Sequence, residues 1–299
     1  VELITGENDA GRRLDRILRK ALPDHPLPLL HRLLRQGKVL ADGKPARAQD
    51  RIESGVKLYV PSVKTEKKTA VSARFSGTPD IIWQGSGLIA VNKPAGLAVH
   101  GHESLDTIVR SFFADKLPPS LSFKPGPLHR LDKPSSGIVV FSANLEGARL
   151  FSSLMQERKV HKTYLAIVEG NVDKEEIWKD CLVRDKDRKK TFITQEKTSG
   201  SKTAATKIKP LAVSGGYSLI TAEIATGRTH QIRAQAAFHG HPLLGDRKYS
   251  GHRYDRGGFF LHAWKMDFLC FSIEAPLPDK FREKTEALFG KLSLKQPVF

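Results

Sequence analysis

The chain has 299 residues, 39% of them hydrophobic, which is enough for two domains around buried cores and excludes disorder as the default. Lys and Arg number 49 against 32 Asp and Glu, a formal net charge of +17, so a polyanionic partner is expected, most often nucleic acid. No apolar run approaches the roughly 20 residues of a spanning helix. Two isolated cysteines, Cys181 and Cys270, point to the reducing cytoplasm and away from a disulfide framework or zinc ribbon.

Residues 11–61 read as a compact unit. Leu14, Ile17, Leu18 and Ala21 follow helical spacing and form one apolar face. Pro28 opens a second helix that turns Leu29, Leu30, Leu33 and Leu34 inward, and Gly37 ends it. Val39-Leu40, the Asp42-Gly43 turn and residues 56–60 add short strands. Arg12, Arg13, Arg16, Arg32, Arg35 and Lys38 are expected on the solvent faces of these helices as RNA contacts. The segment up to Ser62 holds 12 basic and 8 acidic residues, close to the charge density of the whole chain, so it is the clustering that marks an RNA-binding surface.

Residues 63–79, polar and Lys-rich, read as a linker between a domain over 1–62 and another over 80–299. Strand candidates follow at 81–83, 88–92, 138–142, 164–169, 206–213, 217–224, 259–264 and 268–273. Ser104 and Asn144 are placed to cap two amphipathic helices. Strands with interspersed helices predict an α+β domain on a mixed, mostly antiparallel sheet, without solenoid repeats.

Three segments concentrate polar chemistry. Residues 127–141, PLHRLDKPSSGIVVF, set Asp132 in a polar loop after His129 and Arg130 and before a buried strand. Alone, an Asp in a turn is a local hydrogen-bonding device; agreement with the other segments raises its standing. In residues 161–170, HKTYLAIVEG, a strand places Tyr164 on one face with Lys162 and Ala166, where its ring can stack on a nucleobase or close the core. Residues 226–249, TGRTHQIRAQAAFHGHPLLGDRKY, crowd Arg228, His230, Gln231 and Arg233 together ahead of a helix expected to expose Arg233 and His239. His230, His239 and His241 lack a carboxylate or thiol at ligand spacing, so phosphate and base contacts are the better use of these donors and no metal is expected. VNKPAGLAVHG, FLHAW and IEAPLPDKF mark sheet ends near a cleft.

With those residues laid out, the chain resembles the RluA family of pseudouridine synthases preceded by an S4-type RNA-binding domain. HRLDKPSSG resembles the catalytic loop, KTYLAIVEG the tyrosine strand and GRTHQIR with GHPLLGDRKY the basic motif, while GRRLDRIL and LLRQGKVLADGK resemble the S4 signature. The resemblance implies a pseudouridine synthase fold with a central cleft and isomerisation of uridine to pseudouridine in RNA, without cofactor or metal. It implies Asp132 as nucleophile toward ribose C1′ or uracil C6, and Tyr164 stacking on the base and helping to remove the C5 proton. Arg228 would pair with Asp132, Leu261 would line the base pocket, and Arg130 would fill the gap left by the flipped uridine. His129, His230, Gln231 and Arg233 are expected as further substrate contacts.

Ser135 stands where the family usually has Thr, and Gln235 where it commonly has His. The front module and VHG after the Asn-Lys-Pro turn are most similar to the branch acting on large-subunit, 23S-type ribosomal RNA, which makes that RNA the expected partner of a cytoplasmic monomer. Two alternatives are an RNA-binding or ribosome-assembly protein with an idle catalytic fold, and a metal-dependent nuclease drawing on the His and Asp content.

Overall fold

The computed structural model describes residues 1–62, 77–194, 200–249 and 258–291. Residues 63–76 of the expected linker lie outside them. The front unit contains β1 (Glu2–Ile4), β2 (Arg12–Arg13), α1 (Leu14–Ala21), α2 (Leu27–Arg35), β3 (Leu40–Ala41), β4 (Lys44–Pro45), β5 (Arg51–Ile52) and β6 (Lys57–Tyr59). Four strands form one sheet in the order β1-β6-β3-β4, and β2 pairs with β5. Leu14, Ile17 and Leu18 of α1 pack with Leu30, Leu33 and Leu34 of α2 in a core separate from the main one. Arg12 and Arg13 do not lie on a helix face, because the backbone is still extended at Arg13 and pairs with Arg51 and Ile52.

The front unit is docked through a buried carboxylate. Asp9 is fully buried, and its Oδ2 accepts from Gly6 N and Leu121 N, both at 2.9 Å. Its Oδ1 accepts from Ser122 N at 2.9 Å and from Ser120 Oγ at 2.8 Å. Burial pushes this carboxyl up, but the hydrogen bonds from Ser122, Gly6, Leu121 and Ser120 outweigh it and hold it below the usual carboxylate range. Arg12 Nη1 donates to Ser122 Oγ at 2.8 Å, and Leu145 N donates to Asn8 Oδ1 at 2.8 Å.

The second unit contains β7 (Ile81–Gly85), β8 (Leu88–Lys93), α3 (Leu105–Phe113), β9 (Gly126–Pro127), β10 (Ser136–Ser142), α4 (Leu145–Gln156) and β11 (His161–Glu169). It continues with β12 (Glu176–Asp185), β13 (Lys190–Thr194), β14 (Lys202–Ser214), β15 (Tyr217–Ile224), α5 (Gln231–Phe238), β16 (Leu261–Phe268), β17 (Phe271–Glu274) and α6 (Asp279–Phe289). Eleven strands form one sheet along β13-β12-β14-β15-β11-β16-β10-β8-β7, with β17 added to β16 and β9 to β10. The β10–β16 pair runs parallel within an otherwise antiparallel ladder. The fold is thus mixed α+β with a large, mostly antiparallel sheet.

Side chains alternate across this sheet and bury both faces. Ile89 and Val91 of β8 share a core with Val109 of α3 and Ile232 of α5, whereas Leu88 and Ala90 pack with Phe151 and Leu154 of α4. Both expected helix caps form: Ser104 Oγ accepts from Thr107 N at 3.4 Å, and Asn144 Oδ1 from Gly147 N at 2.7 Å. All eight strand candidates fall on observed strands, although 268–273 spans the β16–β17 turn. β12, β13 and α6 are additional to that reading.

Candidate active site

The loop between β9 and β10 is held at both ends. Leu131 is buried in the main core, and Ser135 and Ser136 are buried where β10 begins. Ser135 N donates to Asp132 O at 3.1 Å, closing a turn around the carboxylate. Behind it lies Lys93, fully buried, whose Nζ donates to the carbonyls of Pro94 at 2.9 Å, Leu97 at 2.8 Å and Lys133 at 3.2 Å. Burial pushes this amine down to about 8 against the attraction of Asp132. His262 of β16 braces the other side. Its Nε2 faces the Ala275 carbonyl at 3.3 Å and so carries the proton, which leaves Nδ1 to accept from Ser136 Oγ at 2.8 Å. Gly137 has φ +105°, and a Cβ there would lie 2.2 Å from the Ala263 carbonyl oxygen, so only glycine lets β10 meet β16 this closely. The Asn-Lys-Pro, FLHA and EAPLP landmarks therefore converge behind Asp132.

Arg233 of α5 holds the carboxylate from the front. Its Nη1 donates to Asp132 Oδ2 at 2.7 Å, while Nε and Nη2 donate to Asp246 Oδ2 and Oδ1 at 2.7 and 2.8 Å. The side chains of Asp132, Arg233 and Asp246 are 18%, 7% and 2% exposed. Arg233 Cζ lies 4.3 Å from the Phe259 ring centroid and 5.1 Å from that of Tyr249. Burial opposes its charge, but Asp246 and Asp132 together hold the guanidinium above its ordinary pKa. The ion pair expected of Arg228 is thus made by Arg233, and Arg233 is buried rather than exposed. His230 enters α5 with a left-handed φ of 55°, and Gln231 through Ala236 are all buried, the helix being covered on every side of its first turns. Arg228 remains exposed on the loop before the helix.

Asp132 opens onto a cleft. Tyr164, Ile224 and Leu261 form apolar wall, and Arg130, Arg228 and His230 contribute the polar rim. Tyr164, on β11, is raised above the ordinary phenol range by burial and then by the charge of Asp132, so it stands as a neutral phenol. His230 Nε2 lies 3.7 Å from Asp132 Oδ2, too far for a hydrogen bond. Burial, then Arg233, Arg184 and Lys248, push this imidazole down to about 4 against the pull of Asp132. The site thus combines an oriented carboxylate, a guanidinium fixed from behind, an aromatic wall and a neutral imidazole. It is equipped for attack by a carboxylate on a planar, partly apolar group.

Residues 87–238 match the family described as RNA pseudouridylate synthase. The chain belongs to the RluA family of RNA pseudouridine synthases. It is 32% identical over 296 residues to the ribosomal large subunit pseudouridine synthase D of Neisseria meningitidis, covering 90% of this chain and 77% of that one. It is 30% identical over 289 residues to the ribosomal large subunit pseudouridine synthase C of Vibrio vulnificus, covering 91% and 89%. In fold it is similar to the human RNA pseudouridylate synthase domain containing 1, with a TM-score of 0.60 at 22% identity over 74% of this chain and 91% of that one.

The other expected contacts of this pseudouridine synthase divide between the cleft and the interior. Gln231 lines the cleft but acts as a brace: its Oε1 accepts from Thr226 Oγ1 at 2.9 Å and Arg228 N at 3.2 Å, and its Nε2 donates to Ala205 O at 3.1 Å. His129 is turned away from the cleft, accepting from Val140 N at 3.0 Å through Nε2 and stacking on Phe151. Gln235, at the family's His position, is fully buried, donates to Trp178 O at 3.0 Å and to Asp180 Oδ2 at 2.6 Å, and accepts from Thr206 Oγ1 at 2.6 Å. His230, His239 and His241 contact Tyr249, Asp180 and the Glu169 carbonyl respectively, and do not converge. In the front unit Arg16, Arg32, Arg35 and Lys38 are exposed, whereas Arg12 docks onto Ser122 and Arg13 pairs with Asp15 at 2.8 Å.

Sequence reasoning did not single out Lys93, Asp246, Tyr249 or His262, although each sits inside a motif it quoted. A buried Lys in VNKP and an acidic residue in GDRKY were the available signals. Lys162 is also buried, at 4% exposure, shares a strand face with Tyr164, and is pushed down to about 8 by burial.

Proposed function

We propose that this enzyme isomerises specific uridines of large-subunit ribosomal RNA to pseudouridine, with Asp132 as the nucleophile toward a flipped-out nucleotide. The observation that carries this reading is the Asp132 carboxylate, tied by Arg233 and open to a cleft walled by Tyr164 and Leu261. The names of the relatives from Neisseria meningitidis and Vibrio vulnificus support the choice of RNA.

Chemistry on a uridine in a stacked helix requires extrusion of the base, at a cost of a few kcal/mol. Stacking on Tyr164, about 1–3 kcal/mol, and cationic contacts from Arg130 and Arg228 offset that cost. Asp132 adds to the nucleoside, at ribose C1′ or uracil C6, and the N1–C1′ bond breaks. The retained uracil turns within the cleft, C5 bonds to C1′, the carboxylate leaves, and the C5 proton is removed. N1 gains a proton as C5 loses one, so the net change is an isomerisation. Tyr164 helps as a relay, accepting the C5 proton at Oη while its own phenol proton passes to solvent, since its phenolate is disfavoured by burial and by Asp132. Arg233 orients the carboxylate throughout. The front unit, an S4-like module, holds the RNA through Arg16, Arg32, Arg35 and Lys38.

The test is pseudouridine formation on large-subunit ribosomal RNA by the parent and by Asp132→Ala. Loss of product in the variant, with its fold and RNA binding retained, is expected. Equal product from both would remove Asp132 from the reaction.

A further inference from the structure

His230 has a feature that substrate contact alone does not require. Its Nδ1 lies 2.8 Å from Tyr249 Oη, and that oxygen already accepts from Thr191 N at 2.8 Å. The Tyr249 hydroxyl proton is therefore free to be donated to Nδ1. Arg184 Nη1, which can only donate, also approaches Nδ1 at 3.5 Å. Two donors converging on one ring nitrogen leave it bare, so the imidazole proton sits on Nε2, which faces Asp132 Oδ2 at 3.7 Å. Arg233 donates to that same Oδ2, and no hydrogen bond from the described residues reaches Oδ1.

We propose that His230 is a positioning residue: a neutral imidazole, locked by Tyr249 with its proton on Nε2, that closes onto Asp132 Oδ2 when the cleft fills and leaves Oδ1 as the attacking oxygen. This rests on the proposed role of Asp132. The charged and titratable groups around the ring are Asp132, Arg233, Arg184, Lys248 and Tyr249, and a charged imidazole would add a further cation to the three already there. Tyr249 is raised above the ordinary phenol range, chiefly by burial, and keeps the proton it donates. The left-handed backbone of His230, φ 55°, fixes where the ring points.

That backbone supplies a discriminating variant. Asn tolerates the left-handed region better than most residues, but its amide is too short to reach the Nε2 position, whereas Gln can reach it. His230→Asn is expected to fold, to lower kcat about 100-fold with KM within a fewfold of the parent, and to shift the Asp132 carboxyl resonance in NMR of the labelled protein. His230→Gln is expected to recover at least tenfold of that loss. Imidazole NMR of the parent at neutral pH should show the Nε2–H tautomer, and Tyr249→Phe should introduce the Nδ1–H form and lower kcat about fivefold. A protonated or Nδ1–H ring in the parent, or full kcat in His230→Asn, would overturn the proposal. Product formation by Asp132→Ala would instead defeat the functional reading, while the tautomer measurement would stand on its own.

Discussion

Arg233 divides one guanidinium between two carboxylates, with Nε and Nη2 on Asp246 and Nη1 on Asp132. A lysine ammonium is a single point and cannot span both, so Arg233→Lys should lower kcat by about 100-fold or more with a smaller change in KM. Arg228 is exposed and contributes charge rather than geometry. Arg228→Ala should therefore raise KM and reduce the salt slope of RNA binding by about one, leaving kcat nearly intact. Steady-state kinetics and a salt titration separate the two; a kcat collapse in Arg228→Ala alone would reverse the assignment. Both arginines stand in GRTHQIR, and spacing could not choose between them. The choice depends on the left-handed turn at His230 and on Asp246, a carboxylate that joins the site only through the tertiary fold. Asp132 and Tyr164 line the same cleft, but local pattern left each open, a turn carboxylate and a strand tyrosine being common; the resemblance of HRLDKPSSG and KTYLAIVEG singled them out.

At the level of elements, the site depends on the seam between β10 and β16. Gly137→Ala places a Cβ against the Ala263 carbonyl at a φ that alanine avoids, so a loss of about 3 kcal/mol or more is expected in denaturant unfolding. An unchanged midpoint would show that the seam yields. His262 beside it is buried and pushed down to about 4, as is His230, with His129 at about 3. An unfolded imidazole titrates near 6.5, so between about 6.5 and about 4 the unfolded chain binds protons that the folded one refuses. Stability therefore falls as pH drops through that window and returns as it rises. His262→Asn should flatten the fall in Tm between about pH 7 and about pH 4.5 relative to the parent; an identical slope would contradict the burial argument. The capped helices and the apolar central strands could be read from sequence. β12 was not, because the apolar residues of EIWKDCLVRD fall in two adjacent runs, Ile177-Trp178 and Cys181-Leu182-Val183, without strict alternation, and its burial rests on Trp178 and Leu182.

For the whole molecule, Asp9 joins two units with separate cores. Asp9→Ala leaves the N–H of Leu121 without its acceptor and that of Ser122 with only Ser120 Oγ at 3.3 Å, and should weaken docking by about 2–3 kcal/mol. Small-angle scattering should then report a larger radius of gyration while the main core keeps its unfolding transition; an unchanged profile would mean that other contacts dominate. Because the folded Asp9 carboxyl lies below its ordinary value, its contribution is present above the unfolded pKa and is lost as pH falls through the lower, folded value. The separate apolar cluster around α1 and α2 was legible in the helical spacing of their leucines, whereas this clasp was not, since Asp9 and Ser122 are 113 residues apart.

The parallel seam also orders events during translation. Ser136 meets His262 across 126 residues of chain, so the loop carrying Asp132 stays unset until the last strands have left the ribosome. A chain released before β16 would carry the Asp132 loop without the strand that fixes it in place.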